Sequence, residues 1–242
     1  MEAWLQRVQS QFVLNFIEKD RWKYLVNGLG TTLKITIGAL IIGAVLGAII
    51  AIVRATWDKN RETMRHGFGR SLLAVINGIC KLYLTIIRGT PVVVQLMIMY
   101  YIIFASSKNG VAVATLAFGL NSAAYVAEII RSGIMSIDNG QFEAGRSLGF
   151  NYVQTMWHII LPQSFKNVLP ALANELITLL KETSVAGYVA VVDLTKGGDI
   201  IRGVTYSPFM PLIFVALIYL VIVVILTKLV GILERRLRNS DH

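Results

Sequence analysis

Arg88, Glu128, Glu175, Lys181 and Glu182 lie inside long apolar stretches of this chain, accompanied by Thr90, Gln95, Tyr125, Thr183 and Ser184. An ionised side chain within a bilayer is costly and faces a wet cavity or a partner, so each of these residues marks a candidate site. Together they offer both halves of a receptor for a zwitterion. A carboxylate needs a cation or N–H donors, and an ammonium needs an acceptor. Arg88 or Lys181 supplies the first; Glu128, Glu175 or Glu182 supplies the second. A structural reading stands beside this one: the same groups pair with one another between helices, and Arg131 pairs with Glu128 three residues earlier on one helix.

The segment Arg88-Gly89-Thr90-Pro91 interrupts an apolar run. Pro91 has no N–H to donate and disturbs the preceding turn. Freed carbonyls and the Thr90 hydroxyl then become available to a polar solute, as in the broken helices of transport proteins. The alternative is a packing kink with Arg88 extended towards the interface. Lys81, Thr85, Arg88, Gln95 and Met99 recur at helical spacing, which predicts one polar stripe along an otherwise apolar helix.

The elements that position these residues are membrane spans. Of 242 residues, 55% are hydrophobic and 15% charged, against about 25% charged in soluble domains. Residues 35–53 and 209–227 contain no charge, and each is close to the roughly 20 residues that a bilayer core requires. The pattern predicts an all-α polytopic membrane protein with about five spans, near residues 24–53, 72–104, 112–134, 167–185 and 209–233. Ala39, Gly43, Gly47 and Ala51 place a small residue at every fourth position of the first span, which lets another helix approach closely. Residues 186–207 read as a polar, Gly-containing connection.

With five spans the termini lie on opposite sides. The side holding residues 54–70, 131–166 and 228–242 collects twelve Lys and Arg, against eight on the other. The excess of basic residues in cytoplasmic loops places Lys59, Arg61, Arg65, Arg235, Arg236 and Arg238 in the cytoplasm and the N-terminus outside. Residues 1–24 carry Trp4, Leu5, Val8, Phe12 and Phe16 at helical spacing. They are expected to form an amphipathic interfacial helix rather than a cleaved signal.

Several chemistries are excluded. Residues 198–205, GDIIRGVT, have Walker A glycine spacing but Val204 where lysine is required. Gly28-Leu29-Gly30 lacks the third glycine of a dinucleotide fingerprint. His66, His158 and His242 have no metal-ligand spacing, and no nucleophile–base set is recognisable. Cys80 is the only cysteine. The net charge of +9 is explained by cytoplasmic loops without nucleic acid. No catalytic residue, metal or cofactor is expected on this chain.

Residues 138–162 form a charged and aromatic insert between apolar blocks. Glu143-Ala144, Gly149, Ile159 and Leu161-Pro162 fall in register with the EAA loop of permease subunits of bacterial ATP-binding-cassette importers, which the insert resembles. Gly145 stands where that pattern has a third alanine, a change worth about 1 kcal/mol of helix propensity. RGTPVVVQL (residues 88–96), residues 123–145 and LPALANELITLLKETS (residues 169–184) are similar to the polar amino acid branch of that family.

The resemblance implies a type I importer fold, with residues 25–235 as the permease domain and 236–242 as a cytoplasmic tail. It implies a bacterial plasma membrane location, a second permease chain and two cytoplasmic ATPases that bind the ATP. It also implies an extracellular solute-binding protein and a polar amino acid as substrate. Gln141, Phe142, Glu143, Ala144, Gly145, Arg146, Gly149, Ile159, Leu161 and Pro162 then form the ATPase-coupling element. Glu143 and Arg146 offer charged contacts, while Phe142, Leu148 and Phe150 offer an apolar anchor. Gly140 and Gly149 bracket its short helix, and Pro162 ends its second half. Two rivals remain: an ion- or proton-coupled amino acid carrier, and an importer permease for another small solute. Arginine and glutamine are equally compatible with the residues.

Overall fold

The computed structural model describes residues 1–62, 64 and 66–239. Arg65 of the expected basic loop and residues 240–242 of the expected tail lie outside the described residues. Among the described residues no strand occurs. The helices are α1 (Glu2–Phe12), α2 (Trp22–Asn60), α3 (Phe68–Gly89), α4 (Val92–Ile98), α5 (Gly110–Met135), α6 (Asn139–Ser147), α7 (Tyr152–Thr155), α8 (Leu161–Glu182), α9 (Leu194–Thr205) and α10 (Phe209–Asn239). Single π-turns follow α1, α4 and α7, and 3-10 turns occur at Glu18–Asp20 and Thr183–Val189.

Among the described residues α2, α3, α5 and α10 are long and apolar enough to cross a membrane. The fifth expected span is α8, whose 22 residues extend about 33 Å at 1.5 Å per residue. Its Lys166, Glu175, Lys181 and Glu182 make it the most polar of the five.

The second expected span is two helices, not one. Thr90 adopts an extended conformation (φ −123°, ψ 146°) between α3 and α4. A residue before proline is pushed out of the helical region by the proline ring. The predicted stripe is therefore divided: Lys81, Thr85 and Arg88 stay on α3, while Gln95 falls on α4 and Met99 on the following π-turn.

Two compact units make up the chain. One comprises Met1–Ala39, Val92–Phe118 and Ile177–Lys228. Its core contains Phe16, Leu25, Leu194, Ile201 and Val215, with the Phe16 and Phe214 rings 4.5 Å apart. Asn15 is fully buried and held by polar partners: its amide donates to Gln11 O and Ser207 Oγ, and its Oδ1 accepts from Thr205 Oγ1. The start of α1 leaves Trp4 and Leu5 exposed. Helix α9 occupies the segment expected to be a polar connection. Asp193 caps it, accepting from the N–H groups of Thr195 and Lys196, and Gly197 and Gly198 serve close packing. A Cβ on Gly197 would lie 2.5 Å from Tyr24 O, and one on Gly28 2.5 Å from Asp193 O.

The other unit comprises Leu40–Pro91, Gly119–Leu176 and the chain from Leu229. Here Gly43, Gly47 and Ala51 of the small-residue ladder lie on the buried face of α2, and Ala55 extends it by one turn. A Cβ on Gly43 would lie 2.9 Å from Ser122 Oγ, and one on Gly47 2.6 Å from Val126 Cγ1. The glycines thus bring α2 against α5. Ala55, Ile134, Ile137, Phe142 and Ile160 form a second core at the base of the insert.

Candidate functional site

The insert folds into a helix–turn–helix whose ends are fixed by local signals. Asp138 caps α6 by accepting from Gly140 N at 2.6 Å. Gly140 thus lies within the first helical turn instead of preceding it. At the other end Gly149 takes φ +80°, Phe150 N–H donates to Gly145 O and Gly149 N–H to Arg146 O. This is a Schellman ending, which needs a residue tolerant of the left-handed region. Asn151 and Gln154 then exchange hydrogen bonds, each 2.9 Å, as a capping box for α7.

These constraints present one face of α6 outward. Gln141, Glu143, Ala144 and Arg146 are exposed, and Leu148 is 71% exposed beyond them. The opposite face is internal. Phe142 is only 7% exposed, stacks on Tyr152 and receives the Lys59 ammonium over its ring. It is part of the protein's own core, so the expected apolar anchor reduces to Leu148 and the half-buried Phe150. Ile159 and Leu161 also pack against that core. Pro162 ends nothing: it is the second residue of α8, directly after the Met156–Ile160 π-turn.

Gly145, the departure from the family pattern, has a local cause. A Cβ there would lie 2.6 Å from Thr155 Oγ1 and 2.7 Å from Thr155 Cγ2. Glycine allows α6 to close on α7.

Of the candidate solute-binding residues, the structure brings Arg88, Tyr125 and Glu128 together. Arg88 is 3.8 Å from Glu128 and its guanidinium carbon is 5.8 Å from the Tyr125 ring centroid. Glu128 also pairs with Arg131 at 2.5 Å, and Arg131 with Asp58 at 3.1 Å. A cavity of about 250 Å³ lies among Arg54, Lys81, Leu84, Thr85, Arg88 and Glu128. Arg54 and Asp58 were missed because the sequence places them in a loop; α2 continues to Asn60. Their four-residue spacing was the available signal.

The remaining candidates have contacts of their own. Glu175 is buried and accepts from Ser122 Oγ at 2.9 Å. Thr90 donates to Ile86 O at 2.8 Å, so its hydroxyl binds back onto α3 instead of standing open. Gln95, Lys181, Glu182, Thr183 and Ser184 belong to the other unit. There Thr183 is buried and donates to Leu180 O. Ser184 borders a cavity of about 350 Å³ with Tyr188, Thr195, Lys196 and Asp199. Lys196 and Arg202 both bind the Asp199 carboxylate and hold it below its ordinary pKa of 3.8. Residues 198–205 are part of α9, which rules out a phosphate-binding loop there.

Apolar helices long enough to cross a membrane, with ionisable side chains clustered at Arg88, Glu128 and Arg131, are features of a membrane transport subunit. The chain belongs to the family described as binding-protein-dependent transport system inner membrane component, whose family model matches residues 67–239. It is 38% identical over 221 residues to the arginine transport system permease protein ArtQ of Bacillus subtilis (strain 168), covering 90% of this chain and 94% of that one. It is 37% identical over 219 residues to a putative glutamine transport system permease protein GlnP of Rickettsia typhi (strain ATCC VR-144 / Wilmington), covering 88% and 93%. The crystal structure of an amino acid ABC transporter with histidines aligns with a TM-score of 0.78 at 38% identity, covering 91% of this chain and 98% of that one. The chain is therefore a multi-pass permease subunit of an ATP-driven importer, and ATP hydrolysis is the work of a partner ATPase. Family membership decides against the ion-coupled carrier.

Proposed function

We propose that this chain forms the translocation path for a polar amino acid. In this reading two permease chains stand side by side and two ATPases dock beneath them. A solute-binding protein delivers the amino acid from outside. The C-terminus and the 138–162 insert face the cytoplasm and the N-terminus faces outward. The observation that carries the reading is α6: capped at both ends, tied to the core by Phe142, and free to present Glu143 and Arg146. The relatives named as arginine and glutamine permeases support the substrate class.

ATP-driven closure of the ATPases would press on α6 and rock the attached helices, exposing the path alternately to each side. Arg88 and Glu128 are the groups proposed to hold the zwitterion. Their mutual contact is long, at 3.8 Å, so a substrate carboxylate and ammonium can take over the two charges. Glu175, Lys181 and Ser184 are proposed as further polar groups along the path. Glu143→Lys tests the docking role. ATPase co-purification and uptake should both be lost, and normal values for both would overturn it. Arg88→Ala should abolish uptake with assembly intact; retained uptake would remove Arg88 from the path.

A further inference from the structure

The last turn of α2 makes two unrelated contacts through adjacent residues. Lys59 reaches α6: its Nζ donates to Asn139 Oδ1 at 2.6 Å and lies 4.8 Å from the centre of the Phe142 ring. Asp58 reaches α5 instead, pairing with Arg131 at 3.1 Å. Arg131 holds Glu128, and Glu128 faces Arg88. Arg88 is the last residue before Gly89, where α3 stops. Consecutive helix positions point about 100° apart, which is why one turn can serve both directions. One turn earlier, Ala55 shares a core with Phe142, so α2 cannot leave α6 without opening that core.

We infer that Asp58-Lys59 is a further mechanical link, non-covalent and additional to the α5–α6 connection, between the coupling helix and Arg88, with Lys59 as a positioning residue for ATP-coupled transport. Covalent routes from α6 run back through residues 136–138 into α5 and forward through the Gly149 turn into α7 and α8. The route through Lys59 is non-covalent and delivers the displacement of α6 to the charge chain Asp58–Arg131–Glu128–Arg88. The hydrogen bond fixes the distance and the ring fixes the direction, so a neutral side chain of similar length would keep the bulk and lose the grip. The inference rests on the proposed docking role of α6.

The test uses the complete importer in proteoliposomes, with labelled glutamine and labelled arginine as probes. Lys59→Met should keep its ATPases and hydrolyse ATP while uptake per ATP falls about fivefold or more. Lys59→Arg, which retains the charge and the donors, should restore the ratio. Asn139→Ala removes the grip from the other side and should reproduce the defect, which covers the case of a Lys59→Met chain that fails to fold. A second readout needs no substrate. In a Cys80→Ser background, labelling of Thr85→Cys beside Arg88 should change on adding ATP and vanadate, and Lys59→Met should remove that change. Unaltered ratios or unaltered labelling in both Lys59→Met and Asn139→Ala would overturn the link. If Glu143→Lys meanwhile releases the ATPases, only the link has failed. If Glu143→Lys leaves them bound, the docking role itself has failed.

Discussion

Gly145 offers a quantitative test of how the proposed coupling knob is built. Substituting alanine restores the residue that the EAA pattern carries and, on helix propensity alone, would stabilise α6 by about 1 kcal/mol. The new methyl, however, would meet Thr155 Oγ1 at 2.6 Å and Cγ2 at 2.7 Å. Overpacking of this kind costs about 1–3 kcal/mol. The crowding wins, and Gly145→Ala is expected to destabilise the insert by about 1 kcal/mol. Thr155→Ala removes both offending atoms and leaves Cβ at 3.2 Å. The double variant should therefore be more stable than the two single changes predict, with a coupling of about 1–2 kcal/mol. Thermal denaturation of the purified importer in detergent, read as a double-mutant cycle, gives the number. Retention of the ATPases after each heating step reports whether α6 keeps its seat. Additive single effects, or a Gly145→Ala chain more stable than the parent, would refute the reasoning.

Gly149→Ala should cost about 1–2 kcal/mol, because an L-residue is forced into the left-handed region at φ +80°. Gly149→Asn should recover part of the loss, both read by the same melting assay. Asp199 is held below its usual 3.8 by Lys196 and Arg202. A lowered carboxylate contributes stability that is complete above the usual value and fades as pH falls through the shifted one. The melting difference between the parent and Asp199→Asn should thus be constant at neutral pH and narrow below about pH 3.8.

The short helix of the insert was legible because Gly149 is a local signal. The Asp138 cap and the Asn151/Gln154 pair also act within a few residues, but they were not read, and Gly140 and Pro162 were given the wrong roles. Phe142 was misjudged for the opposite reason. A nine-residue helix shows two faces, and only the packing of Ile134, Ile160 and Tyr152 decides which is internal. Helix α9 was hidden by Gly197, Gly198 and Gly203, which weaken helix propensity. The first two are needed for contact with Tyr24 and Val215, information that no local window contains. The polar cluster was half visible. Charges in apolar runs identified Arg88 and Glu128, but Asp58 and Arg54 required knowing that α2 does not stop at its last apolar residue.

The π-turn at Met156–Ile160 gives the motif's spacing an angular meaning. Such a turn holds one residue more than the α-helix it interrupts, and each residue of an α-helix advances the azimuth by about 100°. Deleting a single residue there would spin the knob about a quarter of a revolution around the α8 axis and aim Glu143 and Arg146 away from their present bearing. The nine-residue interval between Gly149 and Ile159 is thus an indexing dimension, like the keyway of a shaft, setting the heading of Glu143 and Arg146 for the docking proposed above.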